Sequence, residues 1–430
     1  MGKADLFLER HGLKASSIDS VKVLDSFLSE MDKGLAGEAS SLAMIPTYIA
    51  ADTSAKPGES VIVLDAGGTN FRTCLVTFDE DRKPVISDFR KVSMPGIKEE
   101  VSKEQFYSIF ADNVERLIDK SDKIGFCFSY AAKITPEHDG IPMMFSKEIK
   151  APEVIGTKLG ECLLAELGRR GYNVENKKVA VVNDTVATLL AAKASYPENA
   201  SSYVGFILGT GTNCAFIEDN SNIKKIAGLP EGRQIINIES GNFSVELGDL
   251  DKKFESMTKD PSIYWLEKAI SGAYLGQLSA LVIEEAVKEG VLSEAFYEKY
   301  KTIQPLNTTR MSHYLEMCHN QDYDLVRCVE GNEEDATNLY IILKAIIERA
   351  GKLSAINITA AMLGSGRGKE PRQPVVINAD GTTLYKTEFL EYYTRLYLDE
   401  IAEKGHGLYF SIINVDNSPT IGAAIAGLSI

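Results

Sequence analysis

Two segments of the chain share one pattern, in which an apolar run enters a glycine-rich turn and a second β-rich run leaves it. They are VIVLDAGGTNFRTCLVTFD, residues 61–79, and YVGFILGTGTNCAFIED, residues 203–219. An apolar run, a Gly-rich turn and a second run of β-branched and aromatic residues predict a β-hairpin. The second copy lies about 140 residues after the first, and such a repetition indicates a duplicated architecture.

The remaining segments alternate between helical and strand patterns. Residues 1–50 carry apolar residues at helical spacing, including Leu42, Met44 and Ile45, so we expect the chain to open with helices only. Residues 261–360 are mainly helical in pattern. The other predicted helices are 103–119, 155–170 and 388–403, and the other predicted strands are 123–130, 179–184, 374–381 and 408–415. This order favours an α/β fold with a mixed sheet covered by helices.

Composition excludes several classes of partner. A chain of 430 residues predicts two or three domains with a cleft between them. Lys and Arg number 46 against 61 Asp and Glu, and the net charge of −15 repels nucleic acid and anionic membranes. Six cysteines without a CxxC pair predict buried thiols in a reducing compartment. With no apolar run of signal-peptide or membrane-spanning type, we expect a cytoplasmic protein without membrane insertion.

The first hairpin turn combines an acid, two glycines and several donors. Asp65 ends the strand, Gly67 and Gly68 allow close backbone approach, and Thr69, Asn70 and Arg72 supply donors, a set that suits a phosphate and its metal. A glycine hairpin closed by a capping Asp explains the same residues equally well. The second turn, residues 209–213, offers amides and hydroxyls to phosphate oxygens. Two such turns in one chain suit a nucleotide held from both sides.

Three further features of the sequence bear on function, namely residues 364–369, the histidines and residues 181–190. Residues 364–369, GSGRGK, are too short in spacing for a phosphate loop, and Glu370 replaces the required Ser or Thr. The five histidines are scattered, which disfavours structural zinc and a histidine triad. In VVNDTVATLL, Asn183 and Asp184 end an apolar strand. A helix cap near Asp184 or Thr185 is the favoured explanation, and a catalytic role at the strand end stays open.

The two hairpins, with VVNDTVATL between them, resemble the hexokinase/glucokinase family of the actin-like ATPase superfamily. FLSEMDKGL, FSYAAK, INIESGNF, LEKAISGAYLG and INADGTTLYK follow the same family order. The resemblance implies a two-lobed actin-like (ribonuclease H-like, duplicated) ATPase fold, with small and large domains beside a deep cleft. The small domain would be 61–186, with the C-terminal helix 419–430 as a candidate addition, and the large domain 1–60 and 187–418. Each motif occurs once, which predicts one catalytic unit.

The resemblance also implies the site residues. Asp184 would be the base for the sugar 6-hydroxyl, Lys147 would join it in catalysis, and Asp65 would organise Mg²⁺ through water. The hexose would be contacted by Ser129, Ser146, Lys147, Asn183, Asp184, Asn213, Glu239 and Glu267. The nucleotide would be held by Asp65, Gly67, Gly68, Thr69, Asn70, Arg72, Gly209, Thr210, Gly211, Thr212, Asp380, Gly381 and Thr382.

The implied function is an ATP- and Mg²⁺-dependent hexokinase, most simply acting on glucose. The alternatives are a kinase of the same fold that prefers mannose, fructose or an amino sugar, and a sugar sensor without catalysis. The chain departs from the family at Ala131 and Ser240, where larger side chains are usual, which puts strict glucose preference in doubt. It also departs at 418–424, beside the nucleotide.

Overall fold

The computed structural model describes residues 2–145, 149–196 and 198–430 of the chain. Its described strands form a six-stranded, a five-stranded and a two-stranded sheet. The strands are β1 (Ile45–Ala50), β2 (Ser60–Ala66), β3 (Asn70–Phe78), β4 (Pro84–Ser93), β5 (Lys123–Phe128), β6 (Ala132–Ile134), β7 (Gly140–Pro142), β8 (Lys178–Val182), β9 (Ser202–Leu208), β10 (Thr212–Asp219), β11 (Arg233–Asn237), β12 (Val375–Asp380) and β13 (Phe410–Ile413).

The two large sheets have the same topology. The five-stranded sheet has the order β4-β3-β2-β5-β8, and the other has β11-β10-β9-β12-β13 with β1 added beside β11. In both, the first two hairpin partners are antiparallel and the later strands are parallel. Strands with parallel neighbours need crossover helices, which cover both faces and explain the continuous apolar runs. The duplicated architecture expected from the hairpins is confirmed.

Helices surround both sheets. They are α1 (Lys3–Arg10), α2 (Ser20–Ala36), α3 (Lys103–Val114), α4 (Leu159–Arg169), α5 (Asp184–Ser195), α6 (Asp249–Met257), α7 (Trp265–Ile270), α8 (Leu275–Lys288), α9 (Glu294–Tyr300), α10 (Thr308–Glu316), α11 (Asp324–Cys328), α12 (Glu333–Gly364), α13 (Thr382–Lys386), α14 (Leu390–Leu398) and α15 (Ser418–Leu428). A π-helix, Asp399–Gly405, continues from α14. The helix-rich stretch 261–360 and the predicted helices near 103, 155 and 388 are confirmed.

One expectation about the N-terminal region was wrong. Residues 42–50 are not helical, because Ile45–Ala50 forms β1 and pairs antiparallel with β11. The pairing joins Ile45 to Asn237, nearly two hundred residues further along the chain. A short run of apolar residues fits either a helix or a strand, and this distant partner decides the outcome.

Helix α15 packs tightly against the five-stranded sheet and against α5, and α5 itself packs mainly against strands of the six-stranded sheet. A Cβ on Gly422 of α15 would lie 1.9 Å from the carbonyl oxygen of Ala187 on α5. A Cβ on Gly125 of β5 would lie 1.9 Å from the carbonyl oxygen of Ala423. Only glycine permits these approaches. The first contact joins the C-terminal helix to α5, and the second joins it to β5 of the five-stranded sheet. The domain division stays a prediction.

The long helix α12 forms the centre of the larger core. Its 32 residues are buried over most of their length, and Asn332 caps the first turn by accepting from the Asp335 amide. Arg349 on α12 is fully buried and forms a two-pronged ion pair with Asp251, at 2.6 and 2.7 Å. Such pairing compensates the burial of both charges. Across the described ranges, none of the helices is both long and apolar enough to cross a membrane.

Candidate active site

The first hairpin carries an acidic and a basic residue that form an ion pair beside its turn. Asp65 and Arg72 face each other across β2 and β3, and Arg72 Nη1 donates to Asp65 Oδ2 at 2.5 Å. Asp65 is buried, and that burial raises the pKa of its carboxyl. Arg72 opposes the rise in pKa, whereas the negative charge of Asp184 adds to it. The two carboxylates therefore influence each other electrostatically.

The turn of the first hairpin is closed by its own residues. The Gly67 amide donates to the Asn70 carbonyl at 3.1 Å, and Asn70 Nδ2 donates to Thr69 Oγ1 at 3.0 Å. Thr69 is exposed. From the segment between β5 and β6, the hydroxyl of buried Tyr130 donates to the Gly68 carbonyl at 3.0 Å, and the Met94 amide donates to the Thr69 carbonyl at 3.0 Å. The turn is thus supported by its own residues and by neighbours next to the same sheet, and the Thr69 side chain stays open to a ligand.

The second hairpin turn is held by residues from elsewhere in the chain. The Gly209 carbonyl accepts from the Gly272 amide at 2.9 Å and from Thr383 Oγ1 at 2.7 Å. The Thr210 carbonyl accepts from the Ala273 amide at 3.1 Å, while the Thr210 residue itself is exposed. The sequence did not indicate Thr383, since nothing along the chain relates it to residue 209.

Glu267 lies directly against the second turn. Its Oε2 accepts from the Thr212 amide at 3.0 Å, and a Cβ on Gly211 would lie 2.4 Å from the same oxygen. A side chain at position 211 would therefore displace the Glu267 carboxylate. The Thr212 hydroxyl is buried and donates to the Ile207 carbonyl at 2.9 Å, so the protein itself uses it. Glu267 connects the predicted sugar set with the predicted phosphate turn.

The predicted sugar-binding amides and carboxylates form one connected group. Asn213 Nδ2 donates to Asn237 Oδ1 at 2.8 Å and lies 3.4 Å from Asn183 Oδ1. Asn237 Nδ2 donates to Glu239 Oε1 at 2.7 Å. Three of these four residues were predicted from the sequence. Asn237 was missed, although it lies only two positions before Glu239 in INIES.

Asp184 stands at the N-terminus of α5. Asn183, not Asp184 or Thr185, is the cap of this helix, because its Oδ1 accepts from the Thr185 amide at 2.9 Å. That part of the capping interpretation was wrong. The charge of Asp184 raises the pKa of Asp65, Tyr130 and Glu239, so the first hairpin and the sugar group lie within electrostatic range of this carboxylate.

Glu239 has an unusual backbone and an unusual acidity. Its φ of 58° and ψ of 48° place it in the left-handed region, just beyond β11. Burial raises the pKa of its carboxyl to about 7, with further contributions from the charges of Asp184 and Glu267. The hydrogen bond from Asn237 opposes that rise. Near neutral pH, this side chain can therefore accept or donate a hydrogen bond.

The predicted adenosine-side turn follows β12 and lies beside the second hairpin. Asp380 Oδ1 accepts from the Gly381 amide at 2.7 Å. Gly381 has φ 121°, and a Cβ there would lie 2.2 Å from the Leu208 carbonyl oxygen, so only glycine fits. Thr382 is exposed at the start of α13. Of these three residues, Gly381 adjoins Gly209, as a shared nucleotide site would require.

The remaining predicted residues are placed as follows. Ser129 is half-buried and its amide donates to the Ala66 carbonyl at 3.1 Å, beside the first hairpin. Ser146 and Lys147 lie outside the described residues. Ser240, one of the departures from the family, is fully buried and its Oγ accepts from Asn357 Nδ2 at 3.0 Å. Its side chain thus faces α12 and the core.

Known proteins that resemble this chain include hexokinases and glucokinases. Two family models, both described as hexokinase, match residues 6–194 and 203–429. A hexokinase of Schistosoma mansoni is 29% identical over 395 residues, covering 86% of this chain and 85% of that protein. A glucokinase of Aspergillus niger is 25% identical over 460 residues, covering 94% and 92%. Mouse hexokinase-3 is 29% identical over 394 residues, which cover 86% of this chain and 41% of its own length.

Solved structures agree with these matches. The Schistosoma mansoni hexokinase solved in complex with glucose superimposes with a TM-score of 0.80 at 26% identity, covering 99% of both chains. A ROK hexokinase of Thermus thermophilus gives a TM-score of 0.53 at 14% identity, covering 86% of this chain and 97% of its own, and shares the fold. The two-lobed actin-like α/β fold is confirmed. The chain belongs to the hexokinase family, and it is a phosphotransferase.

Proposed function

We propose that this protein transfers the γ-phosphoryl group of MgATP to the 6-hydroxyl of a hexose, with glucose as the first substrate to test. The observation that carries the proposal is the connected polar group Asn183, Asn213, Asn237 and Glu239, with Asp184 beside it. The glucose-bound Schistosoma relative and the Aspergillus glucokinase support the choice of sugar.

The polar group has the chemistry that a hexose needs. Each sugar hydroxyl both donates and accepts, so an amide and a carboxylate side by side can bond two neighbouring hydroxyls at once. Sites that hydrogen-bond hydroxyls in this way reject analogues that lack them, because the buried groups are then left unpaired. We infer that Asn213, Glu239 and Glu267 select the sugar by the positions of its hydroxyls.

Asp184 is the proposed general base. A hexose hydroxyl is a weak nucleophile at neutral pH, and a carboxylate within hydrogen-bond reach orients it and accepts its proton. The helix cap is provided by Asn183, so the local fold does not require the Asp184 carboxylate for that purpose. Phosphoryl transfer has a loose transition state, so alignment and charge stabilisation supply most of the acceleration.

The two hairpin turns are the proposed ATP site. Thr69 and Thr210 are exposed at the two turn tips, and Gly381, between Asp380 and Thr382, adjoins the second. Asp65 would hold Mg²⁺ through water, since Arg72 already contacts its carboxylate directly. This fits a metal held mainly by phosphate and water, because the described residues contain no group of three or more metal-binding side chains. When bound, Mg²⁺ neutralises charge on the phosphate oxygens.

A cytoplasmic location is part of the proposal. All six cysteines are free thiols, and four of them are buried. Burial raises the pKa of the Cys74 thiol to about 12, which keeps it protonated and unreactive. Free, unreactive thiols suit the reducing compartment in which ATP and hexoses meet.

The test is sugar-dependent release of ADP by the purified chain with ATP and Mg²⁺. Glucose, mannose, fructose and glucosamine are compared at equal concentrations, and the position of the product phosphate is read by NMR. We expect release of ADP that depends on sugar, with phosphate on the 6-oxygen. Binding of sugar without ADP release would favour a sensor, and ADP release that ignores sugar would contradict the proposal.

A further inference from the structure

Asn237 lies beneath the polar group at the end of a strand that is held on both sides. β11 pairs with β1 through Ile45 and Asn237 and with β10 through Ala215 and Asn237. Only 4% of the residue is exposed. A buried amide on a strand with hydrogen-bonded neighbours on both sides is a rigid support for whatever it contacts.

The orientation of its amide follows from the backbone. Asn213 Oδ1 accepts from the backbone amides of Cys214, at 2.7 Å, and Ser240, at 3.1 Å. These two donors require an oxygen at that position, so Asn213 Nδ2 must point the other way, towards Asn237 Oδ1. Asn237 Nδ2 then points at Glu239 Oε1, 2.7 Å away. The direction of each amide is thus transmitted from the main chain to the carboxylate.

We propose that Asn237 is a positioning residue for the hexose site. It holds Asn213 and Glu239 in the one arrangement in which both contact the same sugar. The inference rests on the proposed function. Asn237 itself touches neither reacting atom, and it acts through the two residues that it joins.

The same contact governs the charge of Glu239. Burial and the charges of Asp184 on α5 and Glu267 on α7 raise the pKa of Glu239, and the hydrogen bond from Asn237 opposes them. Without that donor, more of Glu239 would be protonated near neutral pH, and the carboxyl would lose its fixed orientation. A sugar hydroxyl would then meet a mixture of donor and acceptor forms.

The primary variant is Asn237→Ala. We expect the hexose KM to rise by about tenfold to a hundredfold, the range for loss of one or two hydrogen bonds to a charged group. The KM for ATP and kcat should change by less than about threefold, because neither Asp184 nor the predicted phosphate-binding residues 209–212 hydrogen-bond to Asn237, whose side-chain partners are Asn213 and Glu239.

The matched control is Asn338→Ala. Asn338 is also a buried amide, 7% exposed, and its Nδ2 donates to the Val291 carbonyl at 2.9 Å, on α12 away from the polar group. This variant should lose thermal stability without a change in hexose KM. If Asn237→Ala lowers the melting temperature as the control does and leaves hexose KM unchanged, Asn237 is merely structural and the inference is wrong.

A second variant, Asn237→Asp, gives a signature that loss of stability alone does not produce. Its carboxylate still accepts from Asn213, yet at pH 8 it faces the Glu239 carboxylate without a donor between them. At pH 6 a proton shared by the two acids restores that donor. The ratio of its hexose KM to that of the unaltered protein should therefore fall by at least about threefold from pH 8 to pH 6.

The two hypotheses fail in different ways. If the unaltered protein releases no sugar-dependent ADP, the proposed function fails, whatever the variants do. If it is active and Asn237→Asp shows the same KM ratio at both pH values, only the positioning role fails. Should Asn237→Ala not fold, the pH response of Asn237→Asp decides the question.

Discussion

The two glycine hairpins have the same sequence pattern and different support. Each turn is closed by one backbone bond of its own. The outside donors to the β2–β3 turn are the Met94 amide and the Tyr130 hydroxyl, which directly follow or lie close to strands of the same five-stranded sheet. The outside donors to the β9–β10 turn come from the segment between α7 and α8 and from α13, more than 60 residues further along the chain, at residues 272, 273 and 383.

This difference separates two ways of building a phosphate turn. A turn bonded to its own sheet moves with that sheet, whereas a turn bonded to other segments moves with them as well. We therefore expect the first hairpin to move with its own sheet. The second is bonded to Glu267 and to residues 272–273, so we expect it to move with them. Substitutions at matching positions should have unequal effects.

The largest effect is expected at Asp184, whose charge acts on both Asp65 of the first hairpin and Glu239 of the sugar group. Asp184→Ala should lower turnover at least about a hundredfold, the scale of general-base loss, while hexose binding stays within about tenfold. Coupled ADP detection gives the rate, and calorimetry gives the hexose dissociation constant. Asp88→Ala, at an exposed acid paired with Lys120 on the same half of the molecule, is the control and should be nearly silent. Near-normal turnover of Asp184→Ala would remove the base assignment.

The second-largest effect is expected at Glu239 of the sugar group, which is compared with Asp65 of the first hairpin. Asp65 has an arginine partner, whereas Glu239 has an amide and a pKa of about 7, above the ordinary 4.5. The folded protein thus holds a proton that the unfolded chain releases, and Glu239 destabilises the fold increasingly as pH rises from about 4.5 to about 7. Glu239→Gln should be more stable than the unaltered protein at pH 8, by up to about 3 kcal/mol.

That gain in free energy of unfolding should shrink towards zero at pH 5, and denaturant melts at both pH values measure it. Hexose KM should rise in the same variant, since a neutral amide replaces the carboxylate. Asp65→Asn is the comparison variant. It removes the charge of the other acid, but unlike Glu239→Gln it leaves an arginine, Arg72, without its ion-pair partner. An equal gain at pH 5 and pH 8 would show that Glu239 is charged at both.

These comparisons show what the sequence can and cannot predict. The hairpins, the strand before Asp184 and the paired acid at Asp65 follow from apolar runs, glycines and strand ends, which are local features. Asn237 and Thr383 were not predicted, because their partners are fixed by strand pairing and by a loop far away in sequence. The mistaken helix at 42–50 has the same origin, since β1 exists only beside β11.

A smaller effect is expected from adding one methyl group to each turn. In Gly211→Ala the Cβ would lie 2.4 Å from Glu267 Oε2, so Glu267 must move and lose the Thr212 amide. Such overpacking should lower the free energy of unfolding by about 1–3 kcal/mol and raise hexose KM. In Gly67→Ala the nearest atoms are 3.8 and 3.9 Å away, so stability should change by less than about 0.5 kcal/mol.

Denaturant melts of both variants, with hexose KM and ATP KM, test the contrast. Gly67→Ala is expected to affect ATP KM alone, because only a bound phosphate would meet its methyl group. Equal losses of stability in the two variants would mean that the turns do not differ in support.

The smallest effect tests one distant bond of the second turn. Thr383→Val removes the hydroxyl that donates to the Gly209 carbonyl at 2.7 Å, while the Gly272 amide still donates to that oxygen. We expect a loss of about 1 kcal/mol in stability and a rise in ATP KM of about threefold, with hexose KM unchanged. Thr394→Val is the matched control, since its buried hydroxyl donates to the Leu390 carbonyl at 2.8 Å within α14. If both variants lose stability equally and neither changes ATP KM, the bond to Gly209 supports the fold without shaping the nucleotide site, and the second turn resembles the first more than its contacts suggest.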